Sequence, residues 1–238
     1  LDPNVFAPGE VTVMHLAAYR LCVSGAPAAV ANGVGVLRAL VERGARRDAV
    51  ADGGDPGIAD DGGDEERFSP LHFAISAGAD EATKFLLSAD CSALPPHSAP
   101  PPLHLAAKLG SSSEAIDALV GSGPAGCVNL RDETPGGTGG TPLQYACTAG
   151  QLGAVRALLA TDGVELDAAD ANPALGETAL HCACGAKPRK QRREIAQAVL
   201  EALAAAGDAD SVLAAVTRPN AAGATPLTVA CLDMIAPE

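Results

Sequence analysis

The side chains able to do chemistry in this chain are few, and their spacing limits what they can do. Its five histidines are the natural candidates for a general base or a metal ligand. Four of them, His15, His72, His104 and His181, hold one place in a phrase that recurs along the chain, so they are spread out rather than convergent. The fifth, His97, lies in a proline-rich stretch and has no identifiable partner. His181-Cys182-x-Cys184 invites a zinc reading, but a zinc site needs two spaced pairs of ligands and no second pair is near. Cys147, Cys184 and Cys231 each stand six residues after the head of the phrase, where a free thiol acts as a small hydrophobe. The stretch Asp52–Glu66 carries seven acids without the regular spacing and closing Glu of a calcium loop. There is no Walker phosphate loop, G-x-G-x-x-G, G-x-S-x-G or H-E-x-x-H, and Gly33-Val34-Gly35 is only a loop fragment. No acid, base and nucleophile converge, so the expectation is a non-enzyme with no cofactor, no metal and no small-molecule substrate.

Composition points the same way. Hydrophobic residues make up 47% of the 238 positions, yet aromatics are 3% and Trp is absent. A core built from Ala, Leu and Val, without large rings, suits thin and closely stacked helical layers. The net charge of −13 argues against general nucleic-acid binding and favours partners that are neutral or basic where they touch. No run of apolar residues is long enough to insert in a membrane. Seven cysteines without framework spacing suit a reducing, intracellular setting, and cytoplasmic residence is expected. The run Lys187 to Arg193 holds five of the 16 Lys and Arg residues. It reads as a solvated basic turn, with nuclear import or contact with an acidic partner as the functional alternatives.

The elements that carry these residues come from self-similarity. Thr12-Val13-Met14-His15-Leu16-Ala17 returns as Ser69-Pro70-Leu71-His72-Phe73-Ala74, Pro101-Pro102-Leu103-His104-Leu105-Ala106 and Thr141-Pro142-Leu143-Gln144-Tyr145-Ala146. It returns twice more, as Thr178-Ala179-Leu180-His181-Cys182-Ala183 and Thr225-Pro226-Leu227-Thr228-Val229-Ala230. Thr or Ser at the head can cap a helix and Pro suits its first turn, so each phrase opens a short helix. A Gly then breaks it (Gly78, Gly110, Gly150), and an apolar stripe follows: Phe85, Leu86 and Leu87; Ile116, Leu119 and Val120; Val155, Leu158 and Leu159. Such short helices depend on their neighbours to bury a continuous core.

The phrase resembles the T-P-L-H-x-A signature of the ankyrin repeat, and its shortest spacing, 32 residues, is close to that family's period. The resemblance implies an all-α ankyrin-repeat solenoid of stacked helix-turn-helix pairs with finger loops. Residues 1–238 form a single domain with repeats starting near 12, 69, 101, 141, 178 and 225, about five repeats plus a truncated sixth. Inserted loops are expected at about 22–35, 51–67, 134–140 and 185–193, with second helices at about Val36 to Arg43 and Glu194 to Ala206. Val164 to Asp170 reads as a finger, and the stack is expected to continue past both ends. The histidines, on this resemblance, hydrogen-bond backbone near the turn.

The resemblance also implies a function: a protein-protein interaction module or scaffold that binds a protein partner on its concave face. The alternative is the targeting or regulatory segment of a larger enzyme, ion channel or ubiquitin-ligase adaptor. By position, the binding residues are Tyr19, Arg20, Phe68, Ser76, Lys108, Thr148 and Glu177. Tyr19, Arg20, Phe68 and Lys108 are expected to carry most energy, because hot spots favour aromatic and basic side chains.

Overall fold

The computed structural model describes residues 2–4, 11–20, 27–52, 67–87, 100–134, 137–167, 175–187 and 189–235. These form twelve α-helices: α1 (Val13–Arg20), α2 (Pro27–Glu42), α3 (Pro70–Ser76), α4 (Asp80–Leu87), α5 (Pro102–Leu109), α6 (Ser113–Ser122), α7 (Pro142–Thr148), α8 (Leu152–Leu159), α9 (Ala179–Gly185), α10 (Arg189–Ala206), α11 (Ala209–Thr217) and α12 (Pro226–Ile235). Two-residue strands β1 (Ala51–Asp52) and β2 (Arg67–Phe68) pair antiparallel at the base of the first finger.

The helices pack in two layers. Helices α1, α3, α5, α7, α9 and α12 follow one another in an inner row, and α2, α4, α6, α8 and α10 form an outer row. Alanines make the inner row possible: Ala18, Ala74, Ala106, Ala107, Ala146 and Ala183 have no exposed surface, so backbones approach closely. Larger residues fill the space between layers, with Met14, Leu37, Leu86, Leu105, Ile116, Leu143, Leu158 and Ile195 fully buried.

A chain of buried polar bonds runs through the inner row. The Thr12 N–H donates to His15 Nδ1 at 3.1 Å, and the Ser69 and Thr178 N–H groups each donate to His72 and His181 Nδ1 at 3.2 Å. A ring nitrogen that accepts must be bare, so Nε2 carries the proton. Nε2–H then reaches the next helix pair: His15 donates to the Phe68 carbonyl (3.0 Å), His72 to Pro100 (3.0 Å), His104 to Gly140 (3.1 Å) and His181 to Ala224 (3.1 Å). Gln144 does the same work with an amide, accepting from the Thr141 N–H at 2.7 Å and donating to the Glu177 carbonyl at 2.6 Å. Each acceptor is the residue just ahead of the next phrase, so the fourth residue of one phrase fastens the first turn of the following helix. Burial holds the His15 and His72 rings neutral, down to about 4, and lowers His104 as well.

His104 lacks one of these bonds. Proline at 101 has no N–H and no hydroxyl, and among the described residues His104 Nδ1 has no hydrogen-bond partner. Pro101→Thr supplies both donors. It should stabilise the fold by about 1 kcal/mol, the desolvated nitrogen regaining a bond at some cost in chain stiffness. The urea midpoint at neutral pH measures this, and a lower midpoint would rule it out.

Several loop expectations need correction. The stretch 22–35 is not a loop over its described part, because α2 starts at Pro27. Gly33 and Gly35 weaken that helix by about 1 kcal/mol each, but packing against α1 and α4 outweighs propensity. The stretch 185–193 is also shorter as a loop over its described part: α10 begins at Arg189, since Arg, Lys and Gln favour helix. Helix α11 was not anticipated; Asp208 caps it, accepting from the Ser211 N–H at 2.9 Å. Residues 53–66, 135–136 and 168–170 of the expected loops and finger, and His97, lie outside the described residues.

Candidate interaction surface

Tyr19, Arg20, Ser76, Lys108 and Thr148 stand at the C-terminal ends of α1, α3, α5 and α7, and the inner row brings these ends side by side. Arg20 and Thr148 are exposed, while Tyr19, Ser76 and Lys108 are half-buried. Tyr19 leans edge-on against Phe73 of the next helix pair, with ring centroids 6.3 Å apart. The Ser76 hydroxyl donates to the His72 carbonyl and the Thr148 hydroxyl to the Gln144 carbonyl, both at 2.9 Å. These hydroxyls donate one turn back along their own helices, which leaves both as acceptors for a partner. The Lys108 carbonyl accepts from Gln151 Nε2 at 3.3 Å, tying the end of α5 to the start of α8.

Phe68 does not belong to such a surface. It is 2% exposed, lies in β2 opposite Ala51, and sets its ring edge-on to His72 at 5.8 Å. The hairpin turns this side chain into the core, and its carbonyl is the acceptor for His15. Glu177 sits at the opposite end of the inner helices from the Tyr19 to Thr148 row, just ahead of α9. It is half-buried there, its carboxylate accepts from the Cys182 thiol at 3.9 Å, and its carbonyl serves Gln144.

Charge is distributed unevenly. Helices α1, α3, α5, α7 and α9 contain no Asp or Glu, and their charged residues are Arg20 and Lys108. In a chain of net charge −13, the acids therefore fall on α12, which carries Asp233, and on the other helices, turns and fingers. Whole-chain charge pointed to neutral or basic contacts, whereas α1, α3, α5, α7 and α9 are themselves neutral to basic.

The finger beside this row is fastened by residues that spacing alone did not single out. Asp132 is buried; its Oδ1 accepts from the Thr134 N–H at 3.1 Å and its Oδ2 from the Tyr145 hydroxyl at 2.5 Å. Burial, with that carboxylate, pushes the Tyr145 phenol up to about 12, so it remains a donor. Asn129 bridges to the next finger, donating to the Gly163 carbonyl (2.7 Å) and accepting from the Glu165 N–H (2.8 Å). Asn4 makes the same pair of bonds to Gly44 (3.0 Å) and Arg46 (2.8 Å). Asn at this finger position was the available signal.

Cys127, Cys147, Cys182 and Cys184 are buried, whereas Cys231, at the same repeat position as Cys147 and Cys184, is exposed. Burial pushes the Cys147 and Cys184 thiols up, the opposite of what a nucleophile or ready metal ligand requires. Among the described residues, no group of three His, Cys, Asp or Glu side chains could hold a metal ion. No helix among them is long and apolar enough to cross a membrane.

Comparisons with known proteins agree with this architecture. A family model described as ankyrin repeats (3 copies) matches residues 103–210. Among solved structures, the ankyrin repeat domain of Bcl-3, a unique member of the IkappaB protein family, aligns with a TM-score of 0.62 and 20% identity, over 95% of this chain and 81% of that one. The human ASB11 ankyrin repeat domain aligns with a TM-score of 0.63 and 22% identity, over 100% of this chain and 89% of that one. A search of curated proteins found no match.

Proposed function

With residues 103–210 being ankyrin repeats in a chain that folds as an ankyrin-repeat domain, we propose that this protein is a non-catalytic scaffold that grips a protein partner with its concave inner face. Ankyrin repeats are protein-protein interaction modules. The observation that carries the reading is the row of inner-helix ends, where Tyr19, Arg20, Lys108 and Thr148 present an aromatic, two cations and a hydroxyl free of neighbouring acids on their own helices. Tyr19 and Arg20 are the anchors, because aromatic and Arg side chains carry most interface energy. Cytoplasmic residence is part of the proposal, supported by the buried free thiols Cys127, Cys147, Cys182 and Cys184.

Affinity capture with the intact protein tests this beside an Arg20→Glu/Lys108→Ala/Thr148→Arg variant. The variant should keep its melting temperature and lose the captured protein. Capture that survives unchanged in the folded variant would place the interface elsewhere. Phe68 is left out of the variant, since truncating it would report on the core.

A further inference from the structure

The turn after α9 and the first turns of α10 form a basic surface that the fold gains nothing by keeping. Lys187, Lys190 and Arg193 are exposed, and among the described residues none of them joins an ion pair or side-chain hydrogen bond. Lys190 and Arg193 are three residues apart on one helix, so they share a face and repel. They also stand at the helix end where the backbone dipole is positive, with no acid in the first turn. Among the described helices α10 is the one whose first turn carries Lys or Arg, whereas α4 opens with Asp80 and Glu81, α6 with Glu114, and α11 follows Asp208 with Asp210. Arg192 has a structural task, its Nε and Nη2 donating to the Ala186 carbonyl at 3.1 and 3.0 Å beyond the end of α9. Lys187, Lys190 and Arg193 have none.

We propose that Lys187, Lys190 and Arg193 form a docking surface for an acidic, Asp/Glu-rich peptide segment of a partner protein. Charge complementarity selects that occupant, because the surface is locally cationic in a protein of net charge −13. An extended import peptide is the poorer fit: residues 189–193 are helical, and Arg192 is bonded back to the preceding turn. The Lys187 N–H donates to the Thr148 carbonyl at 3.4 Å, so the surface lies beside the inner row, but it does not depend on that row's function.

Fluorescence anisotropy of a labelled oligo-glutamate peptide against the intact protein provides the test, with an oligo-glutamine peptide as control. The glutamate peptide should bind, weaken as salt rises, and bind roughly tenfold less tightly to Lys187→Glu/Lys190→Glu/Arg193→Glu. Arg38→Glu/Arg43→Glu/Arg156→Glu changes net charge equally at other exposed positions and should retain binding. Glutamate binding no better than glutamine, or equal loss in both triple variants, overturns the proposal. So does loss in the Arg20/Lys108/Thr148 variant with none in the Lys187/Lys190/Arg193 variant, which would assign the acidic ligand to the inner face instead. Concentration-dependent dimerisation that the patch variant abolishes would replace the partner with a second copy of this chain and likewise overturn it.

Discussion

Taking the folded protein from pH 7 to pH 5 should remove roughly 4 kcal/mol of stability, from two histidines alone. His15 and His72 sit fully buried with a proton on Nε2 and none on Nδ1, and burial lowers both from 6.5 to about 4. The unfolded chain takes up protons near 6.5 that the folded chain refuses. The stabilisation is therefore complete above pH 6.5 and is lost progressively as pH falls towards 4. At pH 5 each ring contributes on the order of 2 kcal/mol to that loss. His104 is lowered in the same direction and adds to it. The carboxylates with lowered values, Asp48, Glu114 and Asp208, act in a separate window, because their unfolded values of 3.8 to 4.5 lie below pH 5. Against a usual total of about 5–15 kcal/mol, such a loss is large. Urea midpoints at the two pH values measure it, and the double variant His15→Gln/His72→Gln should show much less difference. A midpoint that does not move in the parent would mean that the rings are not held neutral.

His72→Ala should cost about 3 kcal/mol at neutral pH, while His72→Gln should cost under about 1 kcal/mol. Truncation strips the Ser69 N–H and the Pro100 carbonyl of their partner and leaves a void in a side chain's place. It also releases the edge-on contact with Phe68. Glutamine keeps an acceptor and a donor at nearly the same reach, as Gln144 already demonstrates between Thr141 and Glu177. The reverse change, Gln144→His, should be tolerated for the same reason and should add acid sensitivity. Chemical denaturation of the three variants separates a bonding role from mere bulk: equal losses for Ala and Gln at position 72 would refute the bonding account.

The helix pairs were legible because their signals are local. A capping head, a proline at the first turn, a glycine stop and an apolar stripe each act within a few residues, and the phrase repeats them. The boundaries that failed did so where tertiary packing overrides propensity, as in α2, whose Gly33 and Gly35 read as loop but whose later turns bury Leu37 between α1 and α4. Helix α11 escaped notice because it opens on Asp208 outside the phrase and presents Leu213 61% exposed, without a clear buried stripe. The candidate surface was half legible. Tyr19, Arg20, Lys108 and Thr148, chosen by position in the phrase, lie at the C-terminal ends of their helices. It could not reveal that Phe68, by the same logic a finger residue, turns inward.

By itself, the sequence determined the repeated helix pair, its register, and the identity of the histidines as part of that repeat, since all of these follow from spacing along one chain. Only the tertiary structure decided where each histidine's second nitrogen bonds, that Gln144 replaces one of them, and that proline 101 leaves another short of a partner. Only the structure, too, set the basic residues at 187–193 on a helix start that opposes them. The second bonds of these side chains join residues 28 to 53 positions apart, a distance over which no local pattern carries information.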